Sequence, residues 1–212
     1  MGLREMKKQQ TRQNISNQAT RLFLRHGFDR VTIADVAAAA QVAKMTVTNY
    51  FPRKEDLALD LHEVFVALPA RTVAERAPGE SALAALRRAF LAAVERHDAV
   101  IGFSGPDFAR MITESPALVA RLREFHEERE DALAAVLAEE TGAAPDDVLP
   151  RLAAAQFIGV HRVLFQEVLR RSVEGETREE IEAALAESAR TAFDLLEPSL
   201  GAYATRPGRA EP

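Results

Sequence analysis

TIADVAAAAQVAKMTVTNYFPRK, residues 32–54, carries the strongest local signal in this chain. Ile33, Val36, Ala37 and Ala40 recur at i, i+3, i+4 and i+7, a spacing that puts apolar side chains on one face of a short helix. Thr32 stands where a cap is needed, and Asp35 three residues on completes a reciprocal capping pair. Past Gln41 and Val42 a second short helix is predicted, with Val47 and Phe51 facing inward one turn apart. Its outer face then offers a cation, a thioether, a hydroxyl and an amide, from Lys44, Met45, Thr48 and Asn49. Two short helices joined by a tight turn, the second with a mixed polar surface, match a helix-turn-helix that lays its second helix in the major groove. A plain helical hairpin inside a larger all-α core fits the same pattern, and local geometry leaves both readings open.

Charge agrees with the first reading, although a merely solvated basic end would give the same asymmetry by itself. The 212-residue chain has a net charge of −5, but residues 1–54 hold ten Lys or Arg against three Asp or Glu, and residues 55–212 hold seventeen against twenty-nine. All four lysines, Lys7, Lys8, Lys44 and Lys54, fall in the first segment. A basic footprint on an acidic body attracts phosphate at one end only. With 47% apolar residues the chain can bury a good core. Zero cysteines exclude disulfides and thiolate chemistry. No apolar run approaches a membrane span and no basic-then-apolar leader precedes the first helix, so a cytoplasmic protein is expected.

The run from Arg12 to Leu57 resembles the DNA-binding domain of the tetracycline-repressor (TetR-like) family of bacterial transcriptional regulators. The matching positions are Arg12, Ile15, Ala19, Phe23, Gly27, Phe28, Thr32, Ile33, Val36, Ala37, Ala40, Val42, Thr46, Tyr50, Phe51, Lys54 and Leu57. The resemblance implies that Lys44, Met45, Thr46 and Thr48 face base edges, with Asn49 beside them on the outer face, and that Thr32, Tyr50 and Lys54 hold phosphates. Three departures stand out. Gln41 occupies the turn position where the family usually has glycine, so a left-handed backbone there costs roughly 1 kcal/mol. Ala43 replaces the usual serine cap of the recognition helix, at about 1 kcal/mol of helix stability. Thr48 replaces a common tyrosine, which puts the operator sequence beyond analogy.

An all-α fold is expected: a loose basic arm over 1–10, a three-helix helix-turn-helix domain over 11–54, a helical effector-binding and dimerisation domain over 55–201, and a disordered tail over 202–212. The first helix carries Ile15, Ala19, Leu22 and Phe23 and ends at Gly27. Glu55 and Asp56 open a helix with the stripe Leu57, Leu61, Val64, Phe65 and Leu68, and Pro69 to Gly79 reads as a break. A further helix bears Leu83, Leu86, Phe90, Val94 and Ile101 and runs to the turn at 102–106; a short one covers 107–113. Ser115 and Pro116 start a long helix with Leu118, Leu122, Phe125, Leu133, Val136 and Leu137, closed by Gly142. The last two helices, about 150–171 and 177–197, are respectively apolar on every side and striped with small residues. Both patterns fit burial within the chain or a four-helix interface with a second copy, and the resemblance to TetR-like homodimers implies the second.

A symmetric dimer sets its recognition helices about 34 Å apart, or a multiple of the DNA repeat, and reads a palindrome. The resemblance further implies a largely apolar small-molecule effector held between helices from about Ser81 to Arg171. Candidate lining residues are Phe90, His97, Phe103, Phe108, Arg110, His126, Gln156, Phe157, His161, Arg162 and Phe165, of which His161 and Gln156 stand out in the all-apolar helix. No cofactor, metal or membrane is expected. A helical-bundle enzyme is the rival class, but no Glu-x-x-His, His-Glu-x-x-His, phosphate-cradling glycine loop or Gly-x-Ser-x-Gly occurs. A non-specific architectural DNA binder is the third, against which the acidic body counts.

Overall fold

A computed structural model describes residues 2–207. Among them every regular element is helical: α1 (Leu3–His26), α2 (Ile33–Ala39), α3 (Lys44–Tyr50), α4 (Lys54–Ala58), α5 (His62–Ala74), α6 (Ala82–Glu95), a 3-10 turn (Ala99–Ile101), α7 (Pro106–Glu114), α8 (Pro116–Thr141), α9 (Leu149–Glu174) and α10 (Arg178–Leu200). The helices fall into two compact units, one of the chain up to His62 with Arg110–Leu122, the other of Glu63–Ala109 with the chain after Leu122. The first unit thus runs past the expected boundary at 54, because α4 packs on α1 through the fully buried Leu57.

In the first unit Ile15, Ala19, Phe23, Val36, Val47, Phe51 and Leu57 form a core with essentially no exposure. Polar ties fix α1 to the end of α2 and to the link between α4 and α5. Asn14 Nδ2 donates to the Ala40 carbonyl at 3.1 Å, and Arg12 donates to the Asp60 carbonyl at 3.1 Å with its guanidinium 4.8 Å from the Phe51 ring centre. The expected loose arm is instead helical from Leu3 onward. Residues 3–10, LREMKKQQ, are all strong helix formers, so α1 extends backward on propensity while burying nothing there.

The single helix expected from Glu55 is two. Leu59 leaves helical geometry at φ −106°, ψ 50°, and Asp60 turns toward α1, where its carboxylate accepts from the Ser16 hydroxyl. Pro69, expected to break the chain, lies within α5 and is buried beside Phe65, Ala70 and Val73. Burial of that face outweighs the one hydrogen bond the proline ring removes.

The second unit centres on Leu83, Leu86, Phe90, Val94, Leu133, Leu137, Phe157, Leu164, Val168, Leu185 and Phe193. Helix α6 stops at Glu95 rather than near Gly102, with His97 in the left-handed region at φ 50°. Gly102 adopts φ 112° against α9, where a Cβ would stand 3.0 Å from Val168 Cβ. Ser115 and Thr177 cap α8 and α10 as predicted. The tail is ordered as far as Pro207, against expectation. Arg206 exchanges backbone hydrogen bonds with Gly79 and Glu80 at 2.8 and 3.0 Å, and Arg76 donates to the Ala204 carbonyl at 2.8 Å. Residues 208–212 of that expected tail lie outside the described residues.

Candidate nucleic-acid interface and a buried cationic cluster

The α2–α3 pair is built as the local signals require. Thr32 Oγ1 accepts from the Asp35 amide at 3.2 Å while the Asp35 carboxylate accepts from the Thr32 amide at 2.8 Å, closing the predicted capping box. The Thr32 hydroxyl, which donates to the Asp35 carboxylate at 2.7 Å, and then the Thr32 amide hold the Asp35 carboxyl below its usual range. Gln41 does take the left-handed conformation, at φ 57°, and Ala43 sits at the start of α3 without a side-chain cap bond. Val47 and Phe51 hold α3 to the core from one side.

On the other side Lys44, Met45 and Asn49 are exposed and Thr46, Thr48 and Tyr50 half-buried. Met45 is 71% exposed, a large thioether left in water with no packing role. The Thr48 hydroxyl donates back to the Met45 carbonyl at 3.1 Å, which leaves its lone pairs outward. Tyr50 joins Arg4, Glu5, Lys7, Lys8 and Thr11 around an open depression of about 570 Å³, so the basic residues of the helical α1 extension lie beside the end of α3. Thr32 is exposed at the N-terminus of α2. Lys54 is oriented differently from expectation: its ammonium lies 4.2 Å from the Phe28 ring centre and donates to the Asp29 carbonyl at 3.4 Å. That internal seat answers the repulsion expected from the nearby positive helix end.

The effector candidates divide. Gln156 and Arg162 are exposed on α9, with Gln156 bonded to its own helix at Leu152, and Arg110 is exposed in the first unit. These residues fall on the outer faces of their helices, where α9 also exposes Leu152 and Val163. His97 bonds Glu182 at 2.7 Å and lies 5.1 Å from Phe103, while Phe108 is half-buried on α7. Phe157 is a core residue with no exposure.

Phe90, His126, His161 and Phe165 do converge, around a residue that the sequence reading passed over. Arg129 is 2% exposed, and its Nη2 approaches His161 Nδ1 at 3.2 Å. Its guanidinium carbon lies 4.2 Å from the Phe65 ring centre. His126 and His161, 6% and 7% exposed, stand edge-on to Phe165 and Phe193. Burial, with Arg129 adding like charge, pulls His126 down to about 3 and His161 well below its ordinary value, so both rings are neutral. Burial alone lowers Arg129 to about 9, which leaves it protonated at neutral pH. His126 Nδ1 and Nε2, Arg129 Nε and His161 Nε2 have no hydrogen-bond partner. A sequence signal for Arg129 exists: it occupies the stripe Leu118, Leu122, Phe125, Leu133 at its missing step, four residues from each of the last two. Among the described residues no three His, Asp or Glu side chains converge to hold a metal ion, and no helix is long and apolar enough to cross a membrane.

Comparison with known proteins places these features in context. Residues 15–61 match bacterial regulatory proteins of the tetR family, and residues 80–201 match the MftR C-terminal domain. The chain is 32% identical over 218 residues to the HTH-type transcriptional regulator TcmR of Streptomyces glaucescens, covering 98% of this chain and 92% of that protein. Of solved structures, the SmeT–triclosan complex superposes with a TM-score of 0.56 at 18% identity, over 95% of this chain and 98% of that one. Thermus thermophilus FadR, a transcriptional repressor in complex with lauroyl-CoA, does so with 0.51 at 25% identity, over 95% and 99%.

Proposed function

The chain belongs to the TetR family of bacterial regulatory proteins, and from that premise we propose that this DNA-binding regulator holds a palindromic operator as a homodimer and releases it on binding a small molecule. The observation that carries the DNA reading is the outer face of α3, where Lys44, Met45 and Asn49 stand in water around a helix whose other side is fully buried. These residues, with Thr46 and Thr48, read base edges. Tyr50 and Thr32 meet phosphates, and Lys54 does so by leaving its seat over Phe28. Arg4, Lys7 and Lys8 add phosphate charge beside Tyr50.

Pairing of α9 and α10 with their copies is supported by what each leaves uncovered. On α9, Leu152, Gln156, Gly159 and Val163 form one outer stripe, with Leu152 and Val163 53% and 58% exposed. Leu195 of α10 is 77% exposed. Gly159 in the middle of the stripe lets a partner backbone approach closely. Effector responsiveness draws support from the ligands in the FadR and SmeT complexes and from the unpaired polar atoms around Arg129. A ligand that favours the dimer form unsuited to DNA releases it by linkage. A coupling of about 1 to 3 kcal/mol gives roughly 5- to 150-fold weaker operator binding.

Selection from a random duplex pool tests the reading. The expected result is an enriched palindrome, bound far more tightly than a scrambled duplex by wild type and not by a Lys44→Ala, Thr48→Ala, Tyr50→Ala variant. Equal weak binding to every duplex overturns it in favour of a non-specific DNA binder.

A further inference from the structure

Two arginines are buried to the same degree in this protein, and they are treated in opposite ways. Arg76, 2% exposed, meets Glu140 at 2.9 Å and the carbonyls of Val73, Glu80 and Ala204. Its charge is answered and its donors are used. Arg129, also 2% exposed, has one hydrogen bond to the His161 nitrogen and the Phe65 ring 4.2 Å from its guanidinium carbon, and among the described residues no carboxylate ion-pairs with it. Buried charges are ordinarily paired, so a lone one signals a counter-ion supplied from outside the chain.

We propose that Arg129, His126 and His161 form an anion-recognition site that takes a largely apolar, aromatic monoanion, a carboxylate or an acidic phenol, as the effector of this regulator. The proposal rests on the ligand-responsive reading above and names the chemistry of that ligand.

The hydrogen-bond inventory gives the ligand its polar pattern. Arginine only donates, so His161 Nδ1 is the acceptor of the 3.2 Å contact and the ring proton lies on Nε2. His161 Nε2–H and Arg129 Nε–H are then unmatched donors, and neutral His126 adds one donor and one acceptor. With the remaining N–H groups of Arg129 Nη1 and Nη2, this donor-rich set with one acceptor around a single positive charge suits one carboxylate or phenolate with an adjacent hydroxyl. A water molecule can satisfy a donor but brings no charge to Arg129.

The surroundings define the rest of the molecule. Phe65 lies 5.2 Å from His126 and 5.8 Å from Phe165, and Phe90 lies 5.3 Å from His161 and 6.1 Å from Phe193, all between ring centres. A polar head among four phenylalanines favours a flat, apolar body, which gains from edge and offset ring contacts. A dianion is disfavoured, because only one of its charges finds a partner.

The full-length protein, free of DNA, is titrated with 1-hydroxy-2-naphthoate, 2-naphthoate and salicylate, each beside its own primary amide. The chain has no tryptophan, so naphthoate emission is read without interference. At least one acid is expected to bind tenfold or more tightly than its amide, and Arg129→Met is expected to abolish that preference while retaining the helical spectrum. Should Arg129→Met fail to fold, the acid–amide comparison on wild type decides alone. Acids binding no better than their amides throughout, or a folded Arg129→Met variant that keeps the preference, overturns the site. Operator affinity is then measured with the bound acid present. An acid that binds without weakening the operator complex leaves the anion site standing and refutes only the release step.

Discussion

Acidification to pH 5 is expected to destabilise this protein through two specific side chains. His126 and His161 are neutral in the fold, the first lowered to about 3 and the second well below its ordinary value, because burial and the Arg129 charge oppose protonation. In the unfolded chain both take up a proton near pH 6.5. Below that pH the unfolded state binds protons that the folded state refuses, so stability is present at neutral pH and falls as pH falls. At pH 5 the loss is about 2 kcal/mol per histidine, hence about 4 kcal/mol for the pair, provided both rings stay neutral in the fold down to that pH. Against a total of 5–15 kcal/mol for an ordinary domain this is decisive.

The window is clean because the perturbed carboxylates act elsewhere. Asp35, Glu80, Glu167 and Glu180 are all lowered by hydrogen bonds or arginine partners, so their contributions persist until pH drops through the ordinary carboxylate range and below. Urea unfolding at fixed protein concentration, at pH 7.5, 6.5, 5.5 and 5.0, measures the effect. With a slope of about 2–3 kcal/mol per M, the midpoint should fall by roughly 1 to 2 M. His126→Leu with His161→Leu should flatten the profile, and each single change should remove about half. A wild-type midpoint constant over this range, or a double variant as acid-sensitive as wild type, refutes the reasoning.

Repair of the turn should stabilise the first unit. Gln41→Gly relieves the φ 57° backbone and Ala43→Ser supplies a cap, each raising thermal stability by about 0.5–1 kcal/mol. Gly102→Ala should cost about 2–3 kcal/mol by calorimetry, since its Cβ would stand 3.0 Å from Val168 Cβ and 3.3 Å from the Phe165 carbonyl at φ 112°. Arg76→Met should cost about 3 kcal/mol, because it leaves Glu140 without its cation and the Ala204 carbonyl without its Arg76 donor, and it should expose residues 202–206 to proteolysis. In each case a melting temperature unchanged from wild type counts against the stated contact.

The arrangement of α2 and α3 was legible because every signal for it is local. The spacing of Ile33, Val36, Ala37 and Ala40, the Thr32–Asp35 box, the inward Val47 and Phe51 and the strained Gln41 all act within about one or two turns of chain. The caps at Ser115 and Thr177 were readable for the same reason. Misreadings arose where residues far apart decide the outcome. Leu61 and Phe65 look like one stripe with Leu57, yet Asp60 is drawn to Arg12 and Ser16 more than forty residues away and splits the helix. The tail reads as disordered until Arg76 and the backbone of Gly79 and Glu80 hold it across the fold.

The same division governs function. Composition and spacing by themselves pointed to an all-α chain with two short helices joined by a tight turn in its basic end and named the outward residues of the second, since a side chain's face on a helix follows from its position along the chain. Only the tertiary structure set Lys54 over Phe28 and decided that Gln156 and Arg162 face outward. It alone left Arg129 without a carboxylate, because the solvation and pairing of a buried charge depend on which side chains from distant helices are brought within a few ångströms of it.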